Sequence, residues 1–248
     1  MPLSRRFLVK GFLLPVLAFS LSGAVFAEPL KRWESGSEST DTVELFTSEG
    51  CSSCPPADRW LSSLKSRPGL FKSFIPLAFH VDYWDYIGWK DRMADPAFSA
   101  RQRQYVDSGD VSQVYTPGIV INSHEWRDWF QGQRDWQSTP AKVGRMTATL
   151  DGQARLTVEF TGYQPGQRLN VAYLGIGMKT RVKAGENRGR ELNHDFVVLD
   201  VTHPDGGSPW SVTLPPRPEA GQTQTALAVW VSPPDSPEIV QAVGGYLD

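Results

Sequence analysis

Cys51 and Cys54 are the only cysteines of this 248-residue chain, and they stand in the sequence GCSSCPPAD. Two thiols at this spacing can exchange disulfides, can contribute to a metal site, or can form a small structural disulfide. If a helix begins next to them, its free N–H groups and positive dipole end stabilise a thiolate. The spacing therefore predicts a redox pair, with a structural disulfide and a metal site as open alternatives.

The two prolines that follow Cys54 constrain this pair. Pro55 and Pro56 donate no backbone hydrogen bond, and the residue before a proline avoids the helical region. The regular helix is therefore expected to begin at about Pro55, with Cys54 as its N-cap and Cys51 in the preceding turn. A disulfide that closes only about four residues stabilises a chain by about 2 kcal/mol in the chain-entropy model, which favours redox over structural use.

A second group of reactive side chains follows the apolar run FIPLAFHV, residues 74–81. This run predicts a buried parallel strand, whose carboxyl end lies at the same sheet edge as the cysteines. His80 and Asp82 stand at that end, where they can transfer protons to and from the thiols. With the two cysteines, His80 could instead complete a copper or zinc site.

The aromatic segment DYWDYIGWKD follows immediately, at residues 82–91. Tyr83, Trp84 and Trp89 form a candidate platform for a peptide or an apolar ligand beside the cysteines. Packing between domains is the alternative role for these rings. A later polar segment, GENRGRELNHD at residues 185–195, is either a solvated turn or a lid at a domain interface.

The elements around these residues predict two domains. A strand at residues 42–47, the helix after the cysteines and the strand at 74–81 form a βαβ unit, and residues 42–142 continue with a helix and VYTPGIVIN. From residue 143 the pattern changes to alternating runs, with Asp151-Gly152 as a hairpin turn. We expect residues 143–248 to form a mostly antiparallel, sandwich-like β domain.

The N-terminus and the net charge indicate an exported protein. Residues 1–27 have the basic start, apolar run and small-residue end of a cleavable signal peptide, and RRFLVK also fits a twin-arginine signal. Residues 28–41 are polar and predict a flexible arm. With 25 basic and 27 acidic residues and no basic stripe, nucleic acid is not an expected partner, and no permanent membrane span is expected.

Residues 42–142 resemble the thioredoxin superfamily in the order strand, Cys-x-x-Cys, helix, strand, helix and Thr-Pro. The strings ELFTSEGCSSCPPAD, HVDYWDYIGWKD, VYTP and GENRGRELNHD are similar to a narrower family of secreted bacterial thioredoxin-like proteins catalogued as a domain of unknown function. The resemblance implies an α/β thioredoxin-like N-terminal domain with the aromatic loop as an insertion. It also implies that Cys51 attacks, Cys54 resolves, and Thr116-Pro117 supplies a cis-proline beside them.

The first hypothesis is an exported thiol–disulfide oxidoreductase that acts on protein or small-molecule thiols and disulfides. Its redox-active disulfide would need no further cofactor. The alternatives are a non-catalytic binding module with a structural disulfide and a copper or zinc binding protein.

Overall fold

The computed structural model describes residues 31–248 together with Met1. The predicted signal peptide after Met1 and the first residues of the predicted arm, 28–30, lie outside the described residues. Within the described part, fourteen strands and two α-helices account for the regular structure, besides short 3-10 turns.

The first half of the chain contains five strands and both helices. The strands are β1 (Lys31–Glu34), β2 (Asp41–Thr47), β3 (Phe74–His80), β4 (Gly118–Ile121) and β5 (His124–Glu125). The helices are α1 (Pro55–Ser63) and α2 (Pro96–Asp107).

The second half contains nine strands. They are β6 (Met146–Leu150), β7 (Arg155–Phe160), β8 (Arg168–Ile176), β9 (Met178–Arg181), β10 (Glu191–His194), β11 (Val197–Thr202), β12 (Trp210–Thr213), β13 (Gln224–Ser232) and β14 (Gln241–Tyr246).

One eight-stranded sheet, ordered β14-β13-β8-β11-β3-β2-β4-β5, passes through both halves of the chain. Only β2 with β3 and β3 with β11 run parallel, and the other neighbouring pairs are antiparallel. The junction is made by β11, where Val197 faces Ala78 of β3 and the Ala78 N–H donates to the Phe196 carbonyl at 2.8 Å. The strands on the two sides of residue 143 are therefore hydrogen-bonded into a single sheet.

A second sheet, β1-β6-β7-β12, covers one face of the large sheet. Alternate residues of β8 and β13, such as Val171 and Val229, point into the core between the two sheets, together with Val158 and Trp210. The predicted hairpin between β6 and β7 is confirmed, with residues 151–154 as its turn. Period-two alternation is what allows one strand to serve two faces in this way.

The two helices cover opposite faces of the large sheet near β2 and β3. Trp60 and Leu61 of α1 are buried with Leu45, whereas Phe98 and Tyr105 of α2 are buried with residues of the other face. Full burial of a leucine or phenylalanine side chain contributes about 1.5–3 kcal/mol, so these contacts hold the helices in place. Asp95 caps α2 by accepting the Ala97 N–H at 2.8 Å.

The fold class predicted from the sequence is wrong. The protein is mostly β, and residues 42–142 do not stand as a clear α/β thioredoxin-like N-terminal domain followed by a separate β domain. The local pattern of β2, α1 and β3 was interpreted correctly as a parallel unit. The error arose because the open edge of β3 pairs with a strand more than one hundred residues later, and local periodicity carries no information about such pairing.

The predicted flexible arm is also corrected from Lys31 onward. β1 pairs antiparallel with β6, and Ser35 N–H donates to the Met146 carbonyl at 2.9 Å. Trp33 packs into the core between the sheets and lies against Gly245, where a Cβ would come within 2.2 Å of the indole nitrogen. This one aromatic anchor orders a segment whose composition is otherwise typical of a loose arm.

In the described part of the chain, no helix has both the length and the apolar character needed to cross a bilayer.

Candidate functional site

Cys51 and Cys54 form a disulfide in the turn before α1. The helix begins at Pro55 with Cys54 as its N-cap, as the prolines predicted, but the Cys54 backbone already has helical torsion angles. Its carbonyl accepts the N–H groups of Ala57 and Asp58, and these bonds hold Cys54 in that conformation. Both cysteines are buried, with exposed fractions of 1% and 0%, whereas the two serines between them are exposed.

A cluster of five buried ionisable side chains flanks the cysteines, and we call it the acid–imidazole cluster. Its members are Glu49, Asp58, His80, Asp91 and His194, each less than a tenth exposed. Glu49 stands two residues before Cys51, and Asp58 stands one helical turn after Cys54. The disulfide is therefore bracketed on both sides by buried carboxyl groups.

His80 and Asp91 form the tightest pair in this cluster, with Nδ1 2.7 Å from Oδ2. Burial by itself lowers the pKa of His80, but the Asp91 carboxylate, helped by Asp58 and Glu49, outweighs it and leaves that pKa raised. Burial works to raise the pKa of Asp91, yet the charge and hydrogen bond of His80 and two backbone N–H donors lower it to about 2. The pair is therefore held as an imidazolium and a carboxylate.

His194 reaches the remaining two acids from β10. Its ring stands edge-to-face on His80 with 4.9 Å between centroids, its Nε2 lies 3.4 Å from a Glu49 oxygen, and its Nδ1 lies 4.0 Å from Asp58. Neither ring nitrogen has a hydrogen-bond partner, and the same holds for Glu49 Oε1 and His80 Nε2. Burial raises the pKa of Asp58, although the histidines and the Thr47 hydroxyl oppose this. The cluster thus contains buried polar atoms without hydrogen-bond partners, a rare arrangement in a stable interior.

Of the two predicted proton-transfer residues, the structure brings only His80 into this cluster. Asp82 instead accepts the Ser99 hydroxyl at 2.5 Å and donates its backbone N–H to the same oxygen at 3.2 Å. Asp82 lies two residues past the end of β3, and its side chain is turned toward α2. Its local role is to hold the start of the aromatic segment on that helix.

The Thr116-Pro117 peptide bond is cis and directly precedes β4, which pairs with β2. Thr116 Oγ1 accepts the indole N–H of Trp84 at 2.7 Å. Trp84 in turn lies against Gly50, where a Cβ would come within 2.9 Å of the Trp84 Cβ. The Trp84 side chain therefore connects Thr116 with Gly50, the residue before Cys51.

The aromatic segment is anchored to the protein by its polar atoms. Tyr83 donates to Gln102 at 3.1 Å, and Trp89 donates to Glu49 Oε2 at 2.8 Å. Burial raises the pKa of Tyr83 to about 12. Tyr83, Trp84 and Trp89 are half-buried, whereas Tyr86 is fully exposed. These three rings support the turn around the cysteines, and a platform role stays a prediction.

The loop of residues 183–190, which we call the cover loop, closes over the disulfide turn. Asn187 is fully buried and donates through Nδ2 to the carbonyls of Glu49 and Cys51 at 2.8 and 2.9 Å. Glu186 accepts the Ser52 N–H at 3.2 Å, and the Ser52 side chain together with this N–H lowers the pKa of Glu186. Gly185 has a φ of +70° and touches Trp89, where a Cβ would lie 3.2 Å from that residue's Cβ. The lid alternative for this segment agrees with these contacts.

The metal alternative has no ligand set in residues 31–248. No three side chains among the histidines, cysteines and acids described there are arranged to hold an ion. Cys51 and Cys54 are bonded to each other and offer no thiolate in this state.

Comparison with known proteins identifies the family. Residues 42–232 match the family model described as "Protein of unknown function (DUF1223)". The chain belongs to the DUF1223 family. No curated protein matches this member at a significant level.

Two solved structures resemble this DUF1223 chain. Protein AGR_C_4864 from Agrobacterium tumefaciens shares 25% sequence identity at a TM-score of 0.59, over 85% of this chain and 96% of that one. HBP35 of Porphyromonas gingivalis shares 12% identity at a TM-score of 0.50, over 85% of this chain and 76% of that one. The second likeness concerns the fold alone.

Sequence reasoning missed four of the five cluster residues in this DUF1223 chain. Glu49 and Asp58 stand inside ELFTSEGCSSCPPAD, Asp91 ends HVDYWDYIGWKD, and His194 is the second-last residue of GENRGRELNHD. The sequence shows that these residues stand in motifs with charged residues or histidine, but it does not show that they are buried. A helix position four residues after the N-cap, on the face of Cys54, is the one local signal that could have selected Asp58.

Proposed function

We propose that this protein is an exported thiol–disulfide oxidoreductase that uses the Cys51–Cys54 disulfide. The observation that carries the proposal is the position of this disulfide at the start of α1, between two buried acids in the chain that belong to a cluster with unpartnered polar atoms. A disulfide that serves stability alone requires no such cluster, since buried ionisable groups cost free energy unless they are fully paired.

The reaction is a two-electron exchange. A substrate thiolate attacks Cys51 Sγ, the S–S bond breaks, and Cys54 leaves as a thiolate. A second substrate thiolate then attacks the substrate sulfur of the mixed disulfide and releases Cys51. The substrate becomes a disulfide, Cys51 and Cys54 become thiols, and the two protons come from the substrate thiols. The reverse sequence reduces a substrate disulfide.

The acid–imidazole cluster supplies the groups that donate and accept protons during this exchange. Reduction of a buried disulfide places two thiols where water has little access, so their protons must be exchanged with neighbouring groups. Glu49 and Asp58 lie next to Cys51 and Cys54 in the chain, and His194 lies close to both acids. The raised pKa of Asp58 suits a group that holds a proton near Cys54.

The redox equilibrium of the pair tests the proposal. After equilibration with glutathione buffers and acid quenching, a catalytic pair is expected to titrate above about −300 mV, because inert structural disulfides lie below that value. Oxidised protein should also convert a reduced dithiol peptide to its disulfide, with loss of the Cys51–Cys54 bond.

Single-cysteine variants provide the matched test. Reduced Cys54→Ser should form a stable mixed disulfide with a disulfide-bonded peptide through Cys51, and Cys51→Ser should form far less. A potential below about −300 mV together with the absence of adducts from Cys54→Ser would contradict catalysis.

A second candidate function is a binding module with a structural disulfide. The observation in its favour is the nearly complete burial of both sulfurs beneath the cover loop. Comparison of wild type with the double variant Cys51→Ala, Cys54→Ala separates the two functions. If the disulfide is only structural, the double variant has a lower free energy of unfolding than wild type, and wild type itself shows no redox turnover.

A further inference from the structure

A cavity of about 440 Å³ lies on the opposite side of the central strands from α1. It is bounded by α2, by the exposed ends of β8, β11 and β13, and by the segment 235–236. None of its lining residues belongs to the disulfide turn, the cover loop or the acid–imidazole cluster. Its volume falls within the range of small-molecule sites.

The floor of this cavity is apolar. Phe79, Phe98, Val201 and Trp230 line it. The cavity exists because α2 covers this face of the sheet over β2 and β3 but leaves the far ends of β8 and β13 open. There, Asn170 faces Trp230 and Arg168 faces Ser232 across the strand pair. The floor of the cavity is thus apolar, and its mouth is polar.

The polar wall contains two arginine side chains with unused donors, and one histidine. Arg168 is exposed and makes no ion pair within the described residues. Arg101 is bound through Nε to Glu44 and through Nη2 to Tyr105 and the Pro237 carbonyl, which leaves Nη1 without a partner in that part of the chain. His203 donates through Nδ1 to Asn170 Oδ1 at 2.8 Å, so Nε2 of its neutral ring is an acceptor and adds no donor to the wall.

The orientation of His203 follows from Asn170. The Asn170 amide nitrogen is directed at the Trp230 carbonyl and the Ser232 hydroxyl, 3.3 and 3.2 Å away, and its oxygen therefore accepts from His203. Asn170 and Ser232 are themselves nine-tenths or more buried. The wall is consequently ordered before any ligand arrives.

Acidic groups also reach the mouth, namely Asp95, Asp200 and Asp235. Asp95 is engaged as the cap of α2. Burial and then the charges of Arg168 and Arg101 lower the pKa of His203, and they outweigh the opposite effect of Asp200. At His203, on the inner wall, the positive charge of the two arginines therefore outweighs the negative charge of Asp200.

We propose that this cavity binds a small amphipathic organic anion, in which an aromatic or aliphatic body lies on Phe98, Val201 and Trp230 and a carboxylate or sulfonate meets Arg168 and Arg101 Nη1. Apolar burial supplies affinity, and charge-assisted hydrogen bonds to guanidinium groups select the anion. The site is independent of the cysteine pair.

Fluorescence titration with 8-anilinonaphthalene-1-sulfonate tests this proposal on the native protein. We expect saturable binding of one equivalent, and Arg168→Ala should weaken it about tenfold, as the loss of one charge-assisted hydrogen bond predicts. The uncharged probe N-phenyl-1-naphthylamine should bind wild type and Arg168→Ala equally. Arg155→Ala, which removes an exposed arginine from β7, is the matched control and should leave both titrations unchanged.

A second variant tests the cavity without removing charge. Ala100 lines the cavity from α2, and Ala100→Trp should fill it and abolish binding of both probes while the melting temperature is kept. Equal affinity for the sulfonate in wild type and Arg168→Ala, retained binding in Ala100→Trp, or the absence of saturable binding would each overturn the proposal. The same titration on Cys51→Ala, Cys54→Ala is expected to match wild type, so its result does not depend on redox activity.

Discussion

His80 shows how one buried residue takes its charge from its surroundings. Its Nδ1 contacts Asp91, its ring contacts His194, and Asp58 and Glu49 add negative potential. A buried charge is tolerated only with such partners, because the cost of leaving water must be offset by attraction and hydrogen bonds. The same group of residues places buried ionisable side chains near the disulfide in the chain, and the proposed proton transfer depends on them.

Asp91→Asn is expected to destabilise the protein by about 3–5 kcal/mol, because it leaves the imidazolium of His80 buried without its counter-charge. The two carboxylate oxygens of Asp91 also accept the backbone N–H groups of Glu49 and Met93. In Asp91→Asn, the amide NH₂ group would replace one of these oxygens and would face a donor instead of accepting from it. Urea unfolding measures the change. Asp107→Asn at the exposed end of α2 is the matched control, and an equal effect of the two substitutions would contradict the charge pair.

The raised pKa of His80 also makes the unfolding free energy depend on pH. Its folded-state pKa lies above the unfolded value near 6.5, so its contribution is complete below about pH 6.5 and is lost as pH rises through the folded-state pKa. We expect wild type to lose stability above pH 6.5 more steeply than His80→Asn. Urea unfolding from pH 6 to 9 measures both slopes, with His124→Asn, an exposed histidine, as control. Parallel curves for wild type and His80→Asn would refute the assignment.

The cover loop and α1 act together at the scale of elements. α1 begins at Pro55, and its N-cap Cys54 carries one half of the disulfide, while the cover loop donates two hydrogen bonds to the turn that carries the other half. The loop itself contacts the aromatic segment through Gly185. Access of a substrate thiolate to Cys51 therefore requires the cover loop to move.

Asn187→Ala is expected to increase the rate of disulfide reduction by dithiothreitol about tenfold, because loss of hydrogen bonds from a fully buried donor weakens the closed loop. Thiol release followed with a chromogenic reagent measures the rate. Asn193→Ala, at an exposed position of β10, is the matched control. If Asn187→Ala lowers overall stability, Glu186→Gln weakens only the exposed bond to Ser52 and should still accelerate reduction. Unchanged rates in both variants would show that the loop does not limit access.

The whole molecule is organised around the eight-stranded sheet. β3 pairs with β2 on one side and with β11 on the other, so the strands that carry His80 and that follow His194 belong to one hydrogen-bonded layer. The sandwich with the second sheet and the cavity beside α2 both depend on β8 and β13. The disulfide site and the cavity thus occupy different parts of one sheet.

One cooperative unfolding transition is expected, since removal of either half would expose the edge of β3 or β11 and the core below it. Hydrogen exchange measured by mass spectrometry should give the same opening free energy for peptides from β3 and β11. Two separated urea transitions, one for residues 42–142 and one for the later strands, would instead show that these ranges unfold as independent domains.

Local features were determined by the sequence alone. The start of α1 at Pro55, the parallel pair β2 and β3, and the hairpin of β6 and β7 follow from proline chemistry and from hydrophobic periodicity, which act over a few residues. The cysteine spacing likewise indicated a bonded pair as one of its three alternatives.

The tertiary structure alone decided which distant residues meet. β11 joins β3, β1 joins β6, and His194 meets His80 across 114 positions of a chain whose intervening segments give no local sign of it. Strand pairing between remote segments depends on edge availability and on the fit of two cores, and both are properties of the assembled sheet. For the same reason the burial of Glu49 and Asp58, on which the proposed proton chemistry depends, became visible only in the folded protein.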